Sequence, residues 1–115
     1  MKPYYQSLIY LSNNKKREAL GILNKGIALA QNSSTIYVML NALKHATNLK
    51  NDESRDYIEK IAIPHLNTGY KNLPLLDCYA KLGEYYKKHD ESKASMYYEK
   101  AYMLSEKLRK GDLSK

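Results

Sequence analysis

The sequence has no tryptophan and no phenylalanine; its 12 aromatic residues are all tyrosine. Every ring therefore carries a hydroxyl that needs a partner once it is buried. Cysteine occurs once, at Cys78. That excludes an intramolecular disulfide framework and fits a reducing, cytoplasmic compartment. Five glycines and three prolines exclude collagen-like or linker character. Long apolar runs are missing too. The longest is Ile36 to Leu40, far short of the ~20 residues a membrane helix needs. Residues Met1 to Ser7 lack the shape of a signal peptide. What is present is a chain of 115 residues, 43% apolar and 27% charged, the size and composition of one globular domain spanning residues 1–115.

Acidic residues are scarce in the front half. Residues 1–50 hold seven bases and one acid, Glu18, whereas residues 51–115 are nearly balanced. A basic front could face nucleic acid or an acidic partner. The one basic cluster, Lys15-Lys16-Arg17, is a single helical turn and reads as a solvated face.

Apolar residues recur at spacings of three and four, so the fold class is all-α. Six helices are expected: Pro3 to Leu11, Lys15 to Gln31, Thr35 to Asn48, Asp52 to Ala62, Pro74 to Lys88 and Glu91 to Lys110. Asn13-Asn14 should end the first helix and cap the second, and Ser33-Ser34, Asn51 and Asp90 are the other expected caps. Pro64 should stop or kink the fourth helix. The stretch His65 to Leu73, with Gly69, should hold a short helical extension and a turn. Gly111 is expected as a left-handed stop after the last helix. Short turns make neighbouring helices antiparallel, which leaves a bundle or a stack of helical hairpins.

An internal repeat favours the stack. The last hairpin carries Tyr79, Leu82-Gly83 and Tyr86, then Ala94, Tyr98 and Ala101. The small-large-small triple recurs as Ala19, Leu23, Gly26 and as Ser54, Ile58, Ile61, at offsets of 35 and 40 residues. Tyr10 precedes Ala19 by nine residues, and His45 precedes Ser54 by nine. Gly83 and Ala94 should allow close helix approach, while Tyr86 and Tyr98 should fill the gap between hairpins. These hairpins resemble tetratricopeptide repeats, whose period is about 34 residues. The resemblance implies antiparallel hairpins stacked as a short superhelix, with repeats at roughly 3–31, 34–66 and 74–110.

The segment Ile61-Ala62-Ile63-Pro64-His65-Leu66, with the Tyr-rich last hairpin, is similar to the C-terminal sensor of bacterial peptide-pheromone regulators of the PlcR/NprR/Rgg type. That resemblance implies binding of a short peptide by the repeats. It also implies DNA binding only through an N-terminal helix-turn-helix, which this sequence does not contain. The chain reads as a piece of something longer. The alternative is an interaction or dimerisation scaffold without a signalling peptide.

No constellation points to catalysis. His45, His65 and His89 stand 20 and 24 residues apart and share no metal-ligand spacing. Cys78 has no CxxC partner. Asp77 and Glu84 share a helix face, but no pocket-forming motif accompanies them. No glycine-rich phosphate loop exists. The chain is therefore expected to be a non-enzyme without cofactor or metal.

Binding is expected on the first helices of the hairpins, which line the concave side of such a stack. Tyr37, Asn41, Lys44 and Asn48 share one face of the third helix, and Asp77, Lys81 and Glu84 share one face of the fifth. An Asn amide both donates and accepts, so it can clamp a peptide backbone whatever the peptide's side chains. Lys44 could pair with a ligand carboxylate. On the sixth helix, Tyr97, Tyr102, Met103 and Leu104 spread over more of the circumference than one neighbour covers. A homodimer is expected from that.

Overall fold

The structure is a computed structural model that describes residues 2–32, 34–67 and 72–113. These residues form six helices and no strand. Helix α1 spans Lys2–Ser12, α2 Lys16–Leu29 and α3 Thr35–Ala46. Helix α4 starts as Asp52–Asp56, widens to a π turn over Tyr57–Ala62 and resumes as Ile63–Leu66. Helix α5 spans Leu73–Tyr86 and α6 spans Glu91–Leu113. The expected turn around Gly69 falls on residues 68–71, outside the described residues.

Local chemistry sets most of the boundaries. The Ser34 hydroxyl accepts the Tyr37 N–H at 3.1 Å, and Asn51 Oδ1 accepts the Ser54 N–H at 3.0 Å. Asn72 accepts the Leu75 N–H at 3.0 Å, and Asp90 accepts the Lys93 N–H at 3.2 Å. Each bond satisfies one orphan donor of a first turn. Asn72 is a cap that the residue pattern did not single out.

Asn13-Asn14 ends α1, as expected, but does not cap α2. Helix α2 has Lys15 at its N-cap, without a side-chain bond. Asn14 has φ +60° and closes α1. The Lys15 N–H reaches the Tyr10 carbonyl at 2.8 Å and the Asn14 N–H reaches Leu11 at 3.1 Å. This is a Schellman end with asparagine in the left-handed position. Gly111 does not stop α6, which continues to Leu113. Glycine permits a left-handed stop but does not impose one.

Of the two outcomes expected at Pro64, the helix does not stop there; it is distorted by a π turn and continues. In an α-turn its ring would press on the Lys60 carbonyl, and it has no N–H to give. The π turn lies directly before it, where the Ile63 N–H reaches back five residues to the Ile58 carbonyl. The extra residue in that turn shifts the register. Ile61, expected as the third member of the small-large-small triple, is 52% exposed, while Ala62 is fully buried. The small position is therefore Ala62, one residue later.

Helices α1 and α2, α3 and α4, and α5 and α6 pack as hairpins. Successive hairpins touch through α2 and α3, and through α4 and α5. Their first helices also meet, α1 against α3 and α3 against α5. Helix α3 is the shared wall. Its Leu40 and Leu43 face one core with Tyr4 and Leu23. Its Val38 and Ala42 face a second core with Ile58, Ala62, Leu66, Leu75 and Leu82.

Small residues sit where helices approach most closely. Ser7 and Ala19 are fully buried, and the Ser7 hydroxyl donates to the Pro3 carbonyl at 2.7 Å. A Cβ on Gly26 would stand 3.1 Å from both Leu40 Cδ1 and Pro3 Cβ. A Cβ on Gly83 would stand 3.1 Å from the Tyr98 ring.

The tyrosines divide by partner. Tyr97 is buried, contrary to the expectation that α6 exposes it, and Tyr98 is 41% exposed. The inward stripe of α6 runs through buried Ala94 and Tyr97 and half-buried Ala101, Leu104 and Leu108. Tyr97 stacks on Tyr86 at 5.9 Å and 9°, whereas Tyr98 lies over Gly83. Both Tyr86 and Tyr97 donate their hydroxyls to the Glu59 carboxylate of α4.

Burial pushes the hydroxyl pKa of Tyr4, Tyr57, Tyr79, Tyr86 and Tyr97 above the ordinary value. Folded-state values above the unfolded ~10 mean that this stability is complete below pH ~10 and is lost as pH rises beyond it. In an alkaline titration, part of the phenolate absorbance should therefore appear together with loss of helical circular dichroism. Ionisation of all 12 tyrosines in a still-helical protein would contradict this packing.

Candidate functional site: a cationic cleft at the hairpin turns

The turns inside all three hairpins fall at one end of the stack. There the C-terminal end of α3 and the last two turns of α5 border an open cleft of about 770 Å³. Thr47, Asn48, Leu49 and Lys50 form one side. Lys81, Glu84, Tyr85, Lys87, Lys88 and His89 form the other, and Lys16 projects from the start of α2. A smaller recess of about 310 Å³ continues it toward Leu11 and Asn14 and shares Lys16, Thr47 and Lys81.

The cleft is strongly positive. Five lysines line it against one carboxylate, Glu84. Among the described residues, no carboxylate pairs with Lys16, Lys50, Lys87 or Lys88. Lys81 lies 3.9 Å from Asp77 one turn earlier. Burial pushes the Asp77 carboxyl up, and Lys81 opposes that shift.

Tyr85 forms a braced aromatic wall. The Arg55 guanidinium lies 4.8 Å from the centre of its ring and donates to its hydroxyl. The His89 ring stacks on it at 4.4 Å and 19°. Arg55 is itself held by the Leu49 carbonyl at 2.9 Å and by Asp52. These bonds tie α4 to the cleft and leave the lysines as its cations for a ligand.

Of the residues expected to bind, the cleft brings together Asn48, Lys81 and Glu84. Tyr37, Asn41, Lys44 and Asp77 do not line it. Tyr37 precedes Ala46 by nine residues, which is roughly 13 Å along a helix axis. Asn41 Nδ2 donates to the Tyr37 carbonyl of its own helix at 2.9 Å. Asp77 faces inward enough to raise the pKa of Tyr4 on α1, after burial itself. The sequence pattern did not mark Lys16, Lys50, Lys87, Lys88 or His89 as site residues. Their common signal is position: each stands at or next to a turn inside a hairpin, and stacking puts those turns at one end.

The remaining chemistry-bearing residues have structural surroundings. His45 Nδ1 lies 2.9 Å from Ser54 Oγ, and its ring lies 4.7 Å from that of Tyr57. Burial and then Lys44 lower its pKa, against Glu53. His65 Nε2 lies 3.3 Å from Thr35 Oγ1. Burial, then Asp77, push the Cys78 thiol up to about 12, so it stays protonated at neutral pH. No cluster of three or more His, Cys, Asp or Glu suited to a metal occurs among the described residues. No helix among them is long and apolar enough to cross a membrane.

Comparison with models of known protein families, with curated proteins and with solved structures finds no match.

Proposed function

We propose that this chain is a peptide- or protein-segment-binding module of tetratricopeptide type that holds an acidic segment or a free carboxylate in the cleft. The observation that carries this is the excess of lysines around a preformed cleft. A volume of about 770 Å³ lies within the ~300–1,000 Å³ typical of ligand sites. Tyr85 supplies a flat contact, Asn48 an amide for a peptide backbone, and Lys81 and Lys88 partners for carboxylates. The chain would serve as the cytoplasmic sensor part of a bacterial peptide-responsive transcription regulator. That finer assignment is supported by the Ile61 to Leu66 segment and the Tyr-rich last hairpin.

The test is fluorescence anisotropy with a library of short labelled peptides, each with a free or an amidated C-terminus. Acidic peptides with a free carboxylate should bind best, and added salt should weaken them. Lys81→Glu combined with Lys88→Glu should reduce affinity at least tenfold, or ~1.4 kcal/mol. Failure of every peptide to bind, or binding indifferent to the double variant, would refute the proposal.

A further inference from the structure

The cleft holds more cations than one carboxylate can neutralise. Lys16, Lys50, Lys81, Lys87 and Lys88 line it with Glu84 as the one carboxylate, which leaves an excess of four positive charges. Asp77 takes a share of Lys81 from 3.9 Å away. The lysines come from the start of α2, the turn after α3 and the end of α5. They therefore surround one volume of about 770 Å³ and do not follow a track across the surface. A lysine ammonium is a point charge suited to phosphate oxygens.

A ring stack stands at the edge of the same volume. Tyr85 is held by Arg55 of α4, and the His89 imidazole lies on it at 4.4 Å and 19°. The turn fixes His89 in place, because its N–H reaches the Tyr86 carbonyl at 2.9 Å. His89 is exposed, and among the described residues no second ring stacks on it. The stack thus ends in an open aromatic face beside the lysines. Glu84 is exposed too. Its carboxylate repels anions but accepts from hydroxyls.

We propose that the cleft also binds a nucleoside triphosphate. The phosphates lie among the lysines, the sugar hydroxyls donate to Glu84, and the base stacks on His89. A terminal phosphate carries about 1.5–2 negative charges at neutral pH, and each phosphate before it adds one. Three phosphates therefore balance the lysine excess in one compact group, whereas a free carboxylate brings a single charge and leaves the ring face bare. Stacking accepts any base, so the site selects phosphate number and not base identity. A single nucleic-acid strand offers the same base and phosphate chemistry, but it needs cations that continue along its backbone. Here they close around one volume.

The test is isothermal titration calorimetry on the full chain with ATP, GTP, AMP, inorganic triphosphate and a short oligothymidine. ATP and GTP should bind alike, and ATP at least tenfold tighter than AMP. Lys50→Ala combined with Lys87→Ala should weaken ATP and inorganic triphosphate alike, at least tenfold. His89→Ala should weaken ATP at least fivefold, the scale of one base–aromatic stack, and leave inorganic triphosphate unchanged. All three side chains are exposed, and circular dichroism confirms that each variant is folded. No binding of ATP at millimolar concentration, AMP binding as tightly as ATP, or oligothymidine binding more tightly than ATP would overturn the proposal. So would an equal loss of ATP and inorganic triphosphate in His89→Ala. The nucleotide is titrated without peptide, so either ligand can fail without the other.

Discussion

Replacing Leu82 with alanine should cost about 2–5 kcal/mol, the range for emptying a close-packed aliphatic site. Leu82 is fully buried on α5. It belongs to the core that joins α3, α4, α5 and α6, so no single helix can shift to fill the void. A small domain has about 5–15 kcal/mol in total, and this loss consumes a large share of it. Urea unfolding should show a lower midpoint with an unchanged slope, since the area exposed on unfolding is nearly the same. Leu76, half-buried on the same helix, should cost less when truncated. A loss below ~0.5 kcal/mol for Leu82→Ala, the scale of an ordinary surface substitution, would mean that the helices are packed in another register.

The second large effect should come from Glu59. Its carboxylate accepts from two tyrosine hydroxyls on different helices, Tyr86 of α5 and Tyr97 of α6. Glu59→Ala removes both acceptors at once. Each hydroxyl left without a partner in a dry core costs ~1–3 kcal/mol; both bonds here are only part-buried, so water offsets some of this and the variant should lose about 2–4 kcal/mol. Glu59→Gln keeps one acceptor oxygen and should lose less. Tyr97→Phe removes the donor along with the need for a partner. Its loss should not add to that of Glu59→Ala, because the two side chains share one bond. A double-mutant cycle measures this coupling, and full additivity would show that the carboxylate and Tyr97 act independently.

The two residues also explain how an all-tyrosine chain builds a core. A phenylalanine could stack where Tyr86 and Tyr97 do, but it could not reach Glu59. The hydroxyls tie α4 to the last hairpin by bonds that an apolar ring cannot make. Tyr85 does the same at the cleft, where its hydroxyl accepts from Arg55 of α4.

Helix number, order and most ends were legible in the residue pattern because they are local. Ser34, Asn51 and Asp90 cap their helices through bonds spanning three residues. Apolar residues at spacings of three and four dictate a helical face without reference to any partner. Where a residue's role depended on what lay across from it, the pattern was right for Ala19, Leu23, Gly26 and Gly83 and misled for others. Spacing set Tyr98 as the packed ring and Tyr97 on the uncovered side of the last helix, yet Tyr97 is buried and reaches Glu59, while Tyr98 lies over Gly83 and is 41% exposed. The Ile61 and Ala62 positions exchanged roles because the π turn before Pro64 added a residue to one turn of the helix.

The candidate site follows the same division. Asn48, Lys81 and Glu84 could be named from helix faces alone. Lys16, Lys50, Lys87 and Lys88 converge with them only because stacked hairpins carry their turns to a common end. The chain's order of residues, with its missing phenylalanine and tryptophan, settles an all-helical molecule whose rings must find polar partners. Which partner each ring and each lysine meets is set by contacts between helices far apart in sequence. Local periodicity carries no information about those contacts, because it constrains one face of one helix at a time.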